Sequence, residues 1–260
     1  ITNFNWLGGS LNAENAGSNT VTVVSNLNIS GATAKYFGDY SAANNGRRLI
    51  NTGTGNWSGA GITGYYWGKL LNPGTLNFTG DFSLTWGGAG NGPALNNTGT
   101  LNLTSGADFT LTSANFDNQP GGSVNVSNGS LTVGSGSYAT NSGAINLDAT
   151  SFLQFSGALF WLDGNVTAPT ANSLRFAGTT TYVTTTNITS PSFWQQGGTI
   201  YQLTNVVVNS FNQQAGTLYG TLPLTFNNYN MTNGELRGAN VIITNFNWLG
   251  GSLNAENAGS

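Results

Sequence analysis

The sequence predicts an all-β chain coiled as a parallel β-solenoid, and three observations carry that expectation. The first is composition. Only 6% of the 260 residues are charged and there is one Met, so most strong helix formers are scarce, whereas Thr, Val and aromatics favour strands. The second is a short repeat. Four segments read SFWQQGGTI, SFNQQAGTL, NYNMTNGEL and NFNWLGGSL, and their glycines Gly198, Gly216, Gly234 and Gly251 stand 18, 18 and 17 residues apart. The third is a long repeat: residues 1–18 recur unchanged as 243–260, a period of 242 residues.

From the N-terminus, coil glycines are expected at Gly9, Gly31, Gly53 and Gly74, and then in clearer motifs. NTGTLNLTSG sets Leu101 and Leu103 after Gly99. GGSVNVSNGSLTV sets Val124 and Val126 after Gly122, with Leu131 and Val133 beyond, and NSGAINLDA sets Ile145 and Leu147 after Gly143. Alternation at period two marks a strand with one side buried. Glycine at a fixed point marks a turn where no side chain fits. Gly164 in WLDGNV continues the series, and the gap of 34 residues to Gly198 reads as two short turns.

In the C-terminal series an aromatic stands five positions before each glycine: Phe193, Phe211, Tyr229 and Phe246. An aliphatic stands two positions after it: Ile200, Leu218, Leu236 and Leu253. These are expected to stack as ladders inside a continuous core, each coil being one supersecondary unit on the next. Residues 1–260 then form one continuous solenoid: a unit of 242 residues (1–242) and the first eighteen of another (243–260), with about twelve coils of 17–25 residues per unit. Twelve coils advance about 58 Å along the axis. Outward positions need only be polar, and stacked Asn can hydrogen-bond along the axis. Both ends carry the core pattern of an interior coil and not that of a polar cap, so the expected neighbours are identical units in the same chain or head-to-tail copies.

Charge and composition also narrow the function. Six Lys and Arg against nine Asp and Glu argue against nucleic-acid binding, which needs clustered cations. No apolar run reaches the roughly 18 residues of a membrane span. With no Cys and no His, imidazole or thiolate metal sites and the common nucleophile–base pairs are excluded, and no cofactor is expected. For glycoside cleavage the best acids are Asp148 and Asp163, with Arg175 one coil further, but their offsets from the coil glycines differ. Isolated solvated carboxylates are the better reading, and no enzyme is expected.

The motifs NTGTLNLTSG, GGSVNVSNGSLTV and NSGAINLDA resemble the coils of bacterial surface β-helix proteins, the filamentous haemagglutinin-like adhesins and autotransporter passengers. The 242-residue period looks more like giant tandem-repeat surface proteins than an ordinary passenger. The resemblance implies a right-handed parallel β-helix, export to the cell surface, and a role in adhesion or fibre formation.

Seven Trp raise a second expectation, a carbohydrate-binding β-helix whose ligand is a surface polysaccharide or a cell-surface receptor. Core packing is the favoured reading for most of them. The segment TGYYWGK, with Tyr65, Tyr66 and Trp67, holds the candidate ligand-facing aromatics.

Overall fold

The structure is a computed structural model. It describes residues 1–12, 21–38, 47–88, 92–104, 106–157, 159–185, 188–202, 206–220, 222, 224–238 and 241–254. Residues 13–18 and 255–260 of the two identical segments therefore lie outside the described residues. Among the described residues all secondary structure is strand and turn, and every strand pair is parallel. The chain is a β-solenoid with three faces.

One coil shows the plan. Thr75–Phe78 lies on a first face, Phe82–Trp86 on a second and Ala94–Asn97 on a third. The next coil repeats the order with Thr100–Leu103, Asp108–Thr112 and Asn115–Asn118, each pairing with its counterpart one rung below. Period-two alternation fixes the pairing, because a one-residue slip would turn every apolar side chain outward. On the first face Leu76, Leu101, Val124, Ile145 and Val166 point inward as one register column. Asn56, Asn77, Asn102, Asn125 and Asn146 form a matching outward column. Its upper amides hydrogen-bond rung to rung at 2.9 Å.

The core is one continuous apolar column. Low in the column an aromatic cluster joins Trp57, Phe78, Phe82 and Phe109, with Phe78 and Phe82 stacked at 4.5 Å. Higher up, Phe193, Phe211, Tyr229 and Phe246 follow one another in register on the second face, and Ile200, Leu218, Leu236 and Leu253 on the third. Phe246 and Leu253 are 37% and 45% exposed, because no described coil covers them. Trp248, whose rung below is the buried Met231, is exposed for the same reason.

A second polar column runs inside the protein. Asn51, Asn72, Asn97, Asn118 and Asn141 are buried at the corner from third face to first. Each of the lower four donates from Nδ2 to Oδ1 of the Asn above, at 2.7–2.8 Å. Each also donates to a backbone carbonyl at the start of the next coil but one, for example Asn97 to Ser123 at 3.1 Å. Buried amides are ordinarily so satisfied; within this column Asn51 Oδ1, at its foot, is a buried acceptor without a donor. The column stops where Leu162 takes the place above Asn141.

The two glycine series occupy different corners. Gly53, Gly74, Gly99, Gly122, Gly143 and Gly164 lie between third face and first, where coils touch: a Cβ on Gly99 would sit 2.0 Å from the Gly74 carbonyl oxygen. Gly198, Gly216, Gly234 and Gly251 lie between second face and third, all with positive φ of 71–107°. The interval of 34 residues is accordingly one coil and two faces, and not two short turns.

This changes the coil count. The second face is traced from Gly9–Asn12 through Lys35–Gly38, Ile62–Gly64 and so on to the Asn245–Trp248 part of Val241–Trp248, in eleven successive pairings. Asn3–Trp6 lies one face before Gly9–Asn12, on the first face. The identical Asn245–Trp248 pairs on the second face and Ser252–Asn254 on the third. A 242-residue period therefore spans eleven coils plus one face, correcting the expected twelve.

Candidate functional site

Most side chains on the outside of the solenoid are small and polar, so clustered aromatics there stand out. The sequence TGYYWGK forms the corner between Ile62–Gly64 on the second face and Lys69–Asn72 on the third. The Tyr65 amide donates to the Phe37 carbonyl of the coil below at 2.8 Å, and Gly68 N–H returns to the Tyr65 carbonyl at 3.1 Å. Between them Tyr66 and Trp67 have φ of 24° and 61°, left-handed backbone that bulky residues rarely adopt. The Tyr65 ring packs against Gly87, where a Cβ would meet it at 2.1 Å. The Tyr65 ring is thus held beneath the next coil, 6.3 Å from Tyr36.

Trp67 instead borders an open groove of about 380 Å³, lined also by Trp86, Gly92, Ser113, Asn115, Gly136 and Tyr138. Register explains the gathering. Trp86 ends its second-face strand opposite Gly64, Asn115 begins a third-face strand, and Tyr138 begins the one above it. Ser113, at φ 50°, is fixed by its amide bond to the Ser135 carbonyl at 2.8 Å, and the Asn115 amide donates to Pro93 O at 2.8 Å. Trp86 and Tyr138 are 38% and 61% exposed. Among the described residues the lining holds no Asp, Glu, Lys or Arg, so the groove offers aromatic surface and neutral hydrogen-bonding groups. Of the three candidate aromatics, Trp67 reaches the groove and Tyr65 packs under it. Tyr66 is half-buried in the same turn and is not part of the lining.

A second aromatic feature lies on the third face. Trp161, Tyr182, Tyr201 and Tyr219 point outward on successive rungs, with centroids 4.2, 5.1 and 5.4 Å apart. Trp161, Tyr182 and Tyr201 stack face to face at 13–15° and Tyr219 tilts at 56° against Tyr201, so this column is ring-on-ring packing on the outside of the rod. The expectation that the Trp residues are core holds for Trp6 and Trp57, and Trp248 takes the register place above the buried Met231 with no described coil over it. Trp67, Trp86, Trp161 and Trp194 stand on the surface side because they occupy corners or outward register positions.

The acids do not converge. Asp148 follows the first-face strand Ala144–Leu147, Asp163 follows the third-face strand Leu159–Leu162, and Arg175 points outward on the second face with its guanidinium 3.9 Å from the Phe152 ring centroid. Asp148 is engaged by Ser151 Oγ at 2.6 Å, by Thr150 through amide and hydroxyl, and by the Asn128 amide at 2.9 Å. These donors, Ser151 foremost, hold its pKa down at about 2. It clamps one corner to the coil beneath. Among the described residues no group of three metal-ligating side chains gathers.

Comparison with family models, with curated proteins and with solved structures returned no match for this chain. Trp86 was marked only as one of the seven Trp, and Ser113, Asn115 and Tyr138 carried no sequence signal; register brings the four together.

Proposed function

We propose that this chain is a shaft segment of a long extracellular fibre or surface adhesin built from tandem 242-residue units. One observation carries the reading. The described part of the second copy, up to Asn254, continues the solenoid: Val241–Trp248 extends the ladder on Leu224–Met231, pairing Phe246 on Tyr229 and Trp248 on Met231. The junction between units is then one more rung, and the partner of each unit is an identical neighbour. Stacked backbone ladders and an unbroken core make such a shaft stiff, and its charge-poor polar exterior suits the medium outside a bacterial cell. The resemblance to filamentous haemagglutinin-like adhesins belongs to the same proposal, as does the absence of any catalytic role.

The test is the mass of the native polypeptide under fully denaturing conditions. Many multiples of the 242-residue unit are expected. A mass near the 27.0 kDa of this chain would overturn the covalent array, and electron microscopy for head-to-tail filaments would then decide whether stacking occurs at all.

A further inference from the structure

The groove at the corner between second and third faces is a built surface whose shape and chemistry are independent of the shaft reading. It crosses four successive coils: Trp67 on the lowest, Trp86 on the next, Ser113 and Asn115 on the third, Gly136 and Tyr138 on the highest. At the usual strand spacing these span about 14 Å along the rod axis, so the occupant is elongated and lies lengthwise. We propose that this groove binds a short, uncharged oligosaccharide, with Trp67, Trp86 and Tyr138 stacking on sugar rings and Ser113 and Asn115 hydrogen-bonding hydroxyls.

Other occupants fit less well. A peptide adding itself as a strand needs an unpaired sheet edge. Here the lining strands Phe82–Trp86, Asn115–Asn118 and Tyr138–Asn141 are paired on both sides. Nucleic acid or a sulfated or uronic polymer calls for cations, and the lining has none. A wholly apolar ligand would desolvate the Asn115 side-chain amide without offering it a partner, while the Ser113 hydroxyl already donates to the Ser135 carbonyl at 3.3 Å. A pyranose carries an apolar C–H face and a polar rim, the two kinds of surface the groove supplies, and sites of this volume with aromatic walls and a few placed polar groups are the usual form of small-ligand site.

The experiment titrates the whole chain with hexasaccharides of β-1,4-glucan, α-1,4-glucan, β-1,4-mannan, β-1,4-xylan and chitin, and with hexagalacturonate and a heparin hexasaccharide. Binding is followed by calorimetry and tryptophan fluorescence. At least one neutral hexamer is expected to bind in the millimolar range or tighter. Trp86→Ala and Tyr138→Ala should each weaken it about ten-fold or more, with the thermal midpoint unchanged, whereas Trp161→Ala on the outer aromatic column should not alter it. Tyr138→Phe keeps the ring and should retain most of the affinity, separating ring loss from any failure to fold. Binding of none of the neutral hexamers, preference for the anionic ones, or wild-type affinity in both groove variants would overturn the proposal.

Discussion

Replacing Asn97 by Ala strikes the middle of the buried amide column. Its Oδ1 accepts from Asn72 at 2.8 Å, and its Nδ2 donates to Asn118 at 2.8 Å and to the Gly99 and Ser123 carbonyls at 3.1 Å. Asn72 Nδ2 keeps the Gly74 and Thr100 carbonyls, but Asn118 Oδ1 loses its donor in a site that water does not reach. One orphaned buried acceptor costs about 1–3 kcal/mol, and each bond to a carbonyl contributes roughly 0.5–1.5 more. The expected loss is about 3 kcal/mol. Asn102→Ala provides the comparison: it too sits in an Asn column, accepting from Asn125 and donating to Asn77 at 2.9 Å, but on the solvent side, where water substitutes and the loss is at most about 1 kcal/mol. A stack of coils opens locally as well as globally, so the assay is native-state hydrogen exchange read on peptides spanning residues 94–126. A difference of about 2 kcal/mol between the variants is roughly a thirty-fold difference in local protection. Equal protection in the two variants would refute the account of the inner column as a satisfied, water-free network.

Three further outcomes are expected. Because the carboxyl of Asp148 is held down to about 2 against an ordinary 3.8, the unfolded chain takes up the proton first. The stabilisation is whole above pH 3.8 and is lost as pH falls towards 2; with solvent screening it amounts to about 1–2 kcal/mol, and Asp148→Ala should flatten the acid limb of an unfolding-versus-pH curve. Lys35 is buried, with Nζ donating only to the Gly31 and Thr33 carbonyls at 3.0 and 3.2 Å, and burial lowers its pKa from 10.5. Between the lowered value and 10.5 the unfolded chain binds more protons, so thermal stability should rise with pH through that window, and Lys35→Met should remove the rise. Gly99→Ala drives a Cβ to 2.0 Å from the Gly74 carbonyl oxygen, whereas Gly121→Ala, at φ 88°, meets nothing within 4 Å. The first should cost about 3 kcal/mol or more by forcing coils apart and the second about 1–2 from backbone strain alone, as measured by denaturant unfolding.

Inward and outward positions were legible wherever the alternation was strict, as in Leu101 and Leu103 or Val124 and Val126. The ladder positions around Phe193, Phe211 and Tyr229 were legible because four units share one offset. Corner identity was not. Glycine announces only that no side chain fits, and the reason differs between Gly99, pressed by the coil below, and Gly198, which needs a left-handed backbone. The inner amide column was hidden because Asn reads as exterior. Its signal was present as Asn two residues before glycine, at Asn51, Asn72, Asn97 and Asn141, and only the inter-coil bonds give that spacing meaning. The groove was legible at Trp67 alone, since Trp86 and Tyr138 become neighbours through pairings that no local pattern encodes.

A repeat that closes after eleven coils and one face behaves as a screw element. In an array of such units each would be turned by a third of a revolution against the last, so a feature returns to the same azimuth only at every third unit. The Trp67–Tyr138 groove would then wind around the shaft as a long-pitch spiral, leaving no side blank. Had the period been a whole number of coils, all copies would line up in a single stripe facing one way. In such an array the one-face remainder would present the same surface in three directions around the rod, so that a flat array of ligands could meet it from any of three sides.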